Sequence, residues 1–140
     1  MTWKKFPCRG KMGAMSTEVE PQLVEQWRAL QSTYLKTSNA LDRELSARHG
    51  IGLNEFETLD LLAEHTTEKC RMKDLTADSP MTQSALSKIV DRLEKGGYVR
   101  RAACADDRRS LFVELTDAGA KLHQEAAVTH RELLAANLSG

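Results

Sequence analysis

Two acids followed by two arginines, Asp106, Asp107, Arg108 and Arg109, stand in the segment CADDRRS (residues 104–110), between YVRRAA and LFVELT. Both flanking segments carry the β-branched and aromatic residues of short strands. The connection between them is too short for a crossover, so the charges are expected at the tip of an antiparallel hairpin. Arginine at such a tip has a defined chemistry: its guanidinium donates to phosphate oxygens, and the narrow, negative minor groove of a duplex attracts it. Asp107, two residues before Arg109, can hold that guanidinium in a fixed fork by a bidentate hydrogen bond, which reduces the side-chain entropy lost on binding. Arg101, on the strand leading into the tip, joins this set of cations.

A second set lies upstream in TQSALSKIVDRLEKGG. Read as a helix capped by Thr82, the segment buries Ala85 (or Leu86), Ile89, Val90 and Leu93 and turns Gln83, Ser84, Ser87, Lys88, Asp91 and Arg92 outward. Gln83 can present a donor and an acceptor to adenine, Ser84 and Ser87 can reach base or phosphate, and Lys88 and Arg92 can reach guanine or backbone oxygens. The plainer reading is that any surface helix is polar on its outer face. The hairpin that follows weighs against it, because a polar helix and a cationic hairpin suit the two grooves of one duplex.

The elements that must position these residues follow from periodicity and punctuation. From Pro21 the apolar residues Leu23, Trp27, Leu30, Tyr34, Leu41 and Leu45 keep the spacing of one helix face as far as His49-Gly50. So long an amphipathic helix leaves an exposed stripe unless it finds a partner, which predicts self-association. GLNEFETLDLLAEH predicts a second helix with Asn54 as cap, Glu57 as capping-box acid, and Leu53, Phe56, Leu59 and Leu62 inward. MKDLTAD predicts a short third helix ending before Ser79-Pro80. Gly96-Gly97 stops the fourth. After the hairpin, Thr116 caps a last helix, with Asp117 at its positive end and Leu122, Ala126, Leu133 and Leu138 inward. The expected fold class is mainly α with a small β-hairpin wing. It forms one domain over residues 16–140, with 53–116 as the nucleic-acid-binding lobe and 16–50 and 117–140 as association helices.

In that order, SALSKIVDRLEKGGYVRR followed by DDRRSLFVELTDAG resembles the MarR (multiple antibiotic resistance regulator) family of winged helix-turn-helix transcription factors, over roughly residues 22–138. The most specific part is the succession DRLEKGGYVRR, D-x-R and LTDAG. The resemblance implies a homodimer with intertwined first and last helices, and two winged lobes that read a pseudo-palindromic double-stranded DNA operator. It aligns Asp107 and Arg109 with the wing-tip pair and Thr82 to Lys88 with the front of the recognition helix. It further implies repression relieved by a small aromatic or phenolic effector in a crevice, for which Trp27, Arg28, Tyr34, Arg48 and His65 are candidate lining residues. An aromatic at helical spacing is also an ordinary core or seam residue. Family members carry one more helix after the long penultimate one, whereas this sequence ends at NLSG.

Composition narrows the remaining classes. The 140 residues have a formal net charge of zero, yet residues 69–109 hold ten basic side chains against six acidic ones, as expected for a polyanionic partner. Residues 1–15 carry four basic residues and no acid, lack a signal peptide's apolar core, and are read as a basic tail or a misplaced start, with Met12 and Met15 as alternative starts. No apolar run suggests a membrane span, and three cysteines without paired spacing point to a reducing, cytoplasmic setting. Cys104 and Cys70 are candidate oxidation targets for a redox-responsive repressor, although no resolving partner is evident. His49, His65, Cys70, His123 and His130 do not make a metal site: the last two are seven apart on one helix, too far to chelate one ion, and read as surface histidines. No cofactor is implied. No nucleophile with its base and no phosphate-cradling loop is present, which speaks against an enzyme. A winged-helix protein-interaction module is the remaining alternative.

Overall fold

The computed structural model describes residues 19–64, 70–103 and 111–139. By its contacts the chain divides into two units, residues 1–36 and 37–140. The described part of the first is helical, residues 19–36 of α1 (Val19–His49), and its apolar side chains Leu23, Trp27, Leu30, Tyr34 and Leu35 are all exposed. The helix begins at Val19, ahead of the expected Pro21. Proline is tolerated there because first-turn N–H groups have no intrahelical acceptor to lose.

The second unit contains the rest of α1, then α2 (Leu53–Glu64), β1 (Cys70–Arg71), α3 (Met72–Asp78), α4 (Gln83–Lys95), β2 (Val99–Ala103), β3 (Leu111–Leu115) and α5 (Asp117–Leu138). Its core is one cluster in which Leu41 and Leu45 of α1 meet Phe56, Leu59 and Leu62 of α2, Leu75 of α3, Leu86, Val90 and Leu93 of α4, and Ala126 of α5. The inward stripe expected for α2 is buried as read, and in α4 it is Leu86 rather than Ala85 that goes inside. Along α5, Ala126 is buried, Leu122 and Leu133 are half-buried, and Leu138 is exposed at 58%. That last turn runs past the core, so its apolar spacing has nothing to pack on within this unit.

The start of α2 differs from the expected Asn54 cap. Gly52 precedes the helix and its carbonyl accepts from Phe56 N at 3.0 Å. Glu55 is the acid that reaches back, accepting from Gly52 N at 3.0 Å, and Asp42 of α1 accepts from Leu53 N at 2.9 Å. The capping box is thus shifted by two residues, because a carboxylate from another helix supplies what a cap side chain would have supplied.

Gly50 ends α1 at φ 74°, where a left-handed residue is needed. The end of α4 is a Schellman turn: Gly97, at φ 83°, bonds from its N–H to Glu94 O at 3.0 Å, and Tyr98 N reaches Leu93 O at 2.9 Å. β2 and β3 pair antiparallel with Val99 opposite Leu115 and Ala103 opposite Leu111, the expected hairpin. Sequence reading missed β1, which pairs antiparallel with the other edge of β3 and makes a three-stranded sheet in the order β1-β3-β2. Two residues carry no periodicity, and only the exposed edge of β3 makes a strand of them.

Candidate nucleic-acid interface

Thr82 begins the site. Its backbone is extended (φ −68°, ψ 158°) and its hydroxyl accepts from Ala85 N at 3.1 Å, fixing the first turn of α4. Burial of Leu86, Ile89, Val90 and Leu93 then dictates which side is left out. Gln83, Ser84, Lys88 and Arg92 are exposed and Ser87 is half-buried. Short polar groups thus precede cations along one helix face. Thr82, Ser84, Lys88 and Arg92 also line a shallow cleft of about 420 Å³ whose opposite wall is Asn54, Glu55 and Asp42. Its two carboxylates cap α2, so part of their charge is taken up by backbone N–H groups. Asp42, Glu55 and Asn54, the last of which does not cap its helix, face this cleft and were not assigned to the site by sequence reading.

Thr116 joins the base of the hairpin to the last helix. Its hydroxyl accepts from Gly119 N at 3.1 Å while donating to Gly97 O at 2.6 Å, and its N–H bonds to Tyr98 O at 3.1 Å. The Schellman turn of α4, the root of β3 and the first turn of α5 are therefore held at one point. Arg100 pairs across the ladder with Glu114 at 3.1 Å. Arg101 turns the other way, onto α4, where it meets Asp91 at 2.7 Å and Glu94 at 3.6 Å. Asp107, Arg108, Arg109 and Cys104 lie outside the described residues, as does His65.

Of the candidate effector residues, Trp27, Arg28 and Tyr34 belong to the first unit and are exposed, and Arg48 belongs to the second, where it pairs with Glu44 at 2.9 Å. The histidines are not the surface groups expected. His49 Nε2 meets Thr129 Oγ1 at 2.8 Å, His130 is 8% exposed, and the rings of His123 and His130 pack on Phe56 with centroids at 5.6 and 4.6 Å. His123 and Arg131 both donate to Asp60 of α2, at 2.7 and 3.0 Å. The seven-residue spacing in α5 signalled a shared face, but nothing local showed that Phe56 and Asp60 would cover it. Among the described residues no group of three or more His, Cys, Asp or Glu side chains could hold a metal ion, and no helix is long and apolar enough to cross a membrane.

Comparison with known proteins gives this geometry its setting. The sequence model of the MarR family matches residues 49–110, a span that begins at the end of α1 and takes in α2, α3, α4 and β2. The HTH-type transcriptional regulator PecS of Dickeya dadantii is 31% identical over 116 residues, 82% of this chain and 68% of that protein. Among solved structures, the chain resembles AbsC, a MarR family transcriptional regulator of Streptomyces coelicolor, with a TM-score of 0.78 at 28% identity over 90% of this chain and 82% of that one. It also resembles a second MarR family regulator of the same organism, solved in complex with DNA, with a TM-score of 0.78 at 33% identity over 89% and 78% of the two chains.

Proposed function

The chain belongs to the MarR family of transcriptional regulators, and from that premise we propose that it is a repressor that binds double-stranded DNA as a homodimer. In this reading α4 enters the major groove, presenting Thr82, Gln83, Ser84, Ser87, Lys88 and Arg92. The hairpin tip lays Arg108 and Arg109 along the adjacent minor groove, with Asp107 bracing Arg109. The observation that carries the reading is the exposed face of α4: a capped first turn of short polar groups, then cations, fixed beside a hairpin by the Thr116 junction. Residues 53–116 form the DNA-reading lobe.

The exposed apolar stripe of residues 19–36 supports association with a second copy through α1 and α5. Two lobes related by a twofold axis would read a pseudo-palindrome. Release by a small aromatic or phenolic effector is part of the proposal, with Trp27, Arg28, Tyr34, Arg48 and His65 as its candidate contacts. The setting is cytoplasmic.

Fluorescence anisotropy of the protein with the duplex upstream of its own gene, over excess unrelated DNA and across a salt series, tests the reading. Saturable binding by one dimer per site with a steep salt slope is expected. Arg109→Ala should weaken specific binding by about 1 to 3 kcal/mol and lower the salt slope by about one unit. Equal affinity for unrelated DNA, and for every duplex enriched from a random library, would instead favour a protein-interaction module.

A further inference from the structure

Arg101 stands out among the cations of the hairpin because it is drawn inward. Its side chain is 25% exposed, against 61% for its neighbour Arg100. One terminal nitrogen meets Asp91 at 2.7 Å and Glu94 at 3.6 Å, and the other lies 3.5 Å from the backbone carbonyl of Ser87. Its Nε is buried without a partner. Residues 87, 91 and 94 follow one another along a single face of α4, each about a turn from the last, so one guanidinium on β2 grips two turns of the helix at once. Only a planar fork with several donors can do this, since a lysine ammonium is a single point charge. All three acceptors lie on α4, so Arg101 would have to leave every one of them to reach a phosphate.

We propose that Arg101 is a positioning residue that fixes the angle between α4 and the hairpin, and is not itself a DNA contact. The inference deepens the DNA-reading proposal and rests on it. If helix and wing occupy neighbouring grooves, both contact sets form together only at one mutual orientation. A brace that holds that orientation before binding removes part of the ordering cost and favours the one DNA shape that fits. Specificity, rather than charge neutralisation, is what Arg101 contributes.

Three variants of the full chain test it: Arg101→Met, which keeps the apolar stem; Arg101→Lys, which keeps the charge; and Asp91→Ala, which removes an exposed partner and leaves the arginine intact. In the free protein, hydrogen–deuterium exchange of residues 83–95 and 99–103 should quicken in all three, and wild-type rates throughout would overturn the brace. Binding is read by anisotropy on a duplex enriched by the wild-type protein from a random library and on an unrelated duplex, across a salt series. The preference for the enriched duplex should fall about tenfold in each variant. The salt slope should stay the same, and Arg101→Met combined with Asp91→Ala should be no worse than either alone. A lower salt slope in Arg101→Met, with equal losses on both duplexes and recovery in Arg101→Lys, would make Arg101 a phosphate contact and sink the proposal. A wild-type protein that enriches no duplex would refute the DNA-reading proposal, while the exchange rates still decide whether the brace exists.

Discussion

Asp60 illustrates how single residues couple two helices of the second unit. It accepts from His123 and Arg131, whose helix also packs His130 on Phe56. Burial by itself would raise its carboxyl, but the hydrogen bonds from His123 and Arg131 outweigh this and hold it below the usual 3.8. His130 is held below its usual 6.5, first by burial and then by Arg131, against the pull of Asp60. The guanidinium of Arg131 lies 2.7 Å from His130 Nδ1 and can only donate, so that nitrogen accepts and the neutral ring is favoured. Because folding depresses this pKa, the stabilisation is complete above about pH 6.5 and is lost as pH falls through the folded value. Asp60 has the same sign, but its loss begins only below its usual 3.8. Glu57, raised above 4.5 by burial and then by Asp60, has the opposite sign: its protonation on acidification returns some stability. The urea midpoint should therefore fall as pH drops from about 7 to about 5.5, and His130→Gln should flatten that slope. An unaltered slope in His130→Gln would assign the proton uptake to another group.

Between elements, Gly119 in α5 closely approaches the residues just after α4. A Cβ on Gly119 would fall within the van der Waals shell of the Tyr98 carbonyl oxygen, which is itself tied to Thr116 N. Neither side is a flexible side chain that could move aside. Gly119→Ala should cost about 2 to 3 kcal/mol in denaturant unfolding, and a stability within error of wild type would show that the start of α5 can shift. Thr82→Ala removes the cap of α4 and should cost about 1 kcal/mol, with weaker DNA binding following from a frayed first turn. If the same variant keeps full stability and loses only affinity, Thr82 acts as a DNA contact rather than as a cap.

For the molecule as a whole the open question of stability lies in residues 19–36. Leu23, Trp27, Leu30 and Tyr34 are between 50 and 69% exposed, more contiguous apolar surface than a solitary helix keeps in water without cost. Burial against a second copy is the proposed remedy. Leu30→Asp should then give a monomer, or a chain that unfolds at low concentration, with DNA affinity lost in step. Light scattering decides this, and a Leu30→Asp protein that remains dimeric would place the seam elsewhere.

The order of the helices, the hairpin, the buried stripes of α2 and α4, and the caps at Thr82 and Thr116 were legible in the amino-acid sequence. Each depends on residues within a turn or two of one another, and local backbone chemistry decides such matters. The polar face of α4 was legible for the same reason, as the complement of its buried stripe. The shifted cap of α2, strand β1, the inward turn of Arg101 and the cluster on Asp60 were not. Asp42 meets Leu53 from 11 residues away, Arg101 meets Ser87 across 14, and His123 meets Asp60 across 63. Which of several equally suitable charged or polar partners a side chain finds over such separations is set by the packing of the core, and only the tertiary structure decided it.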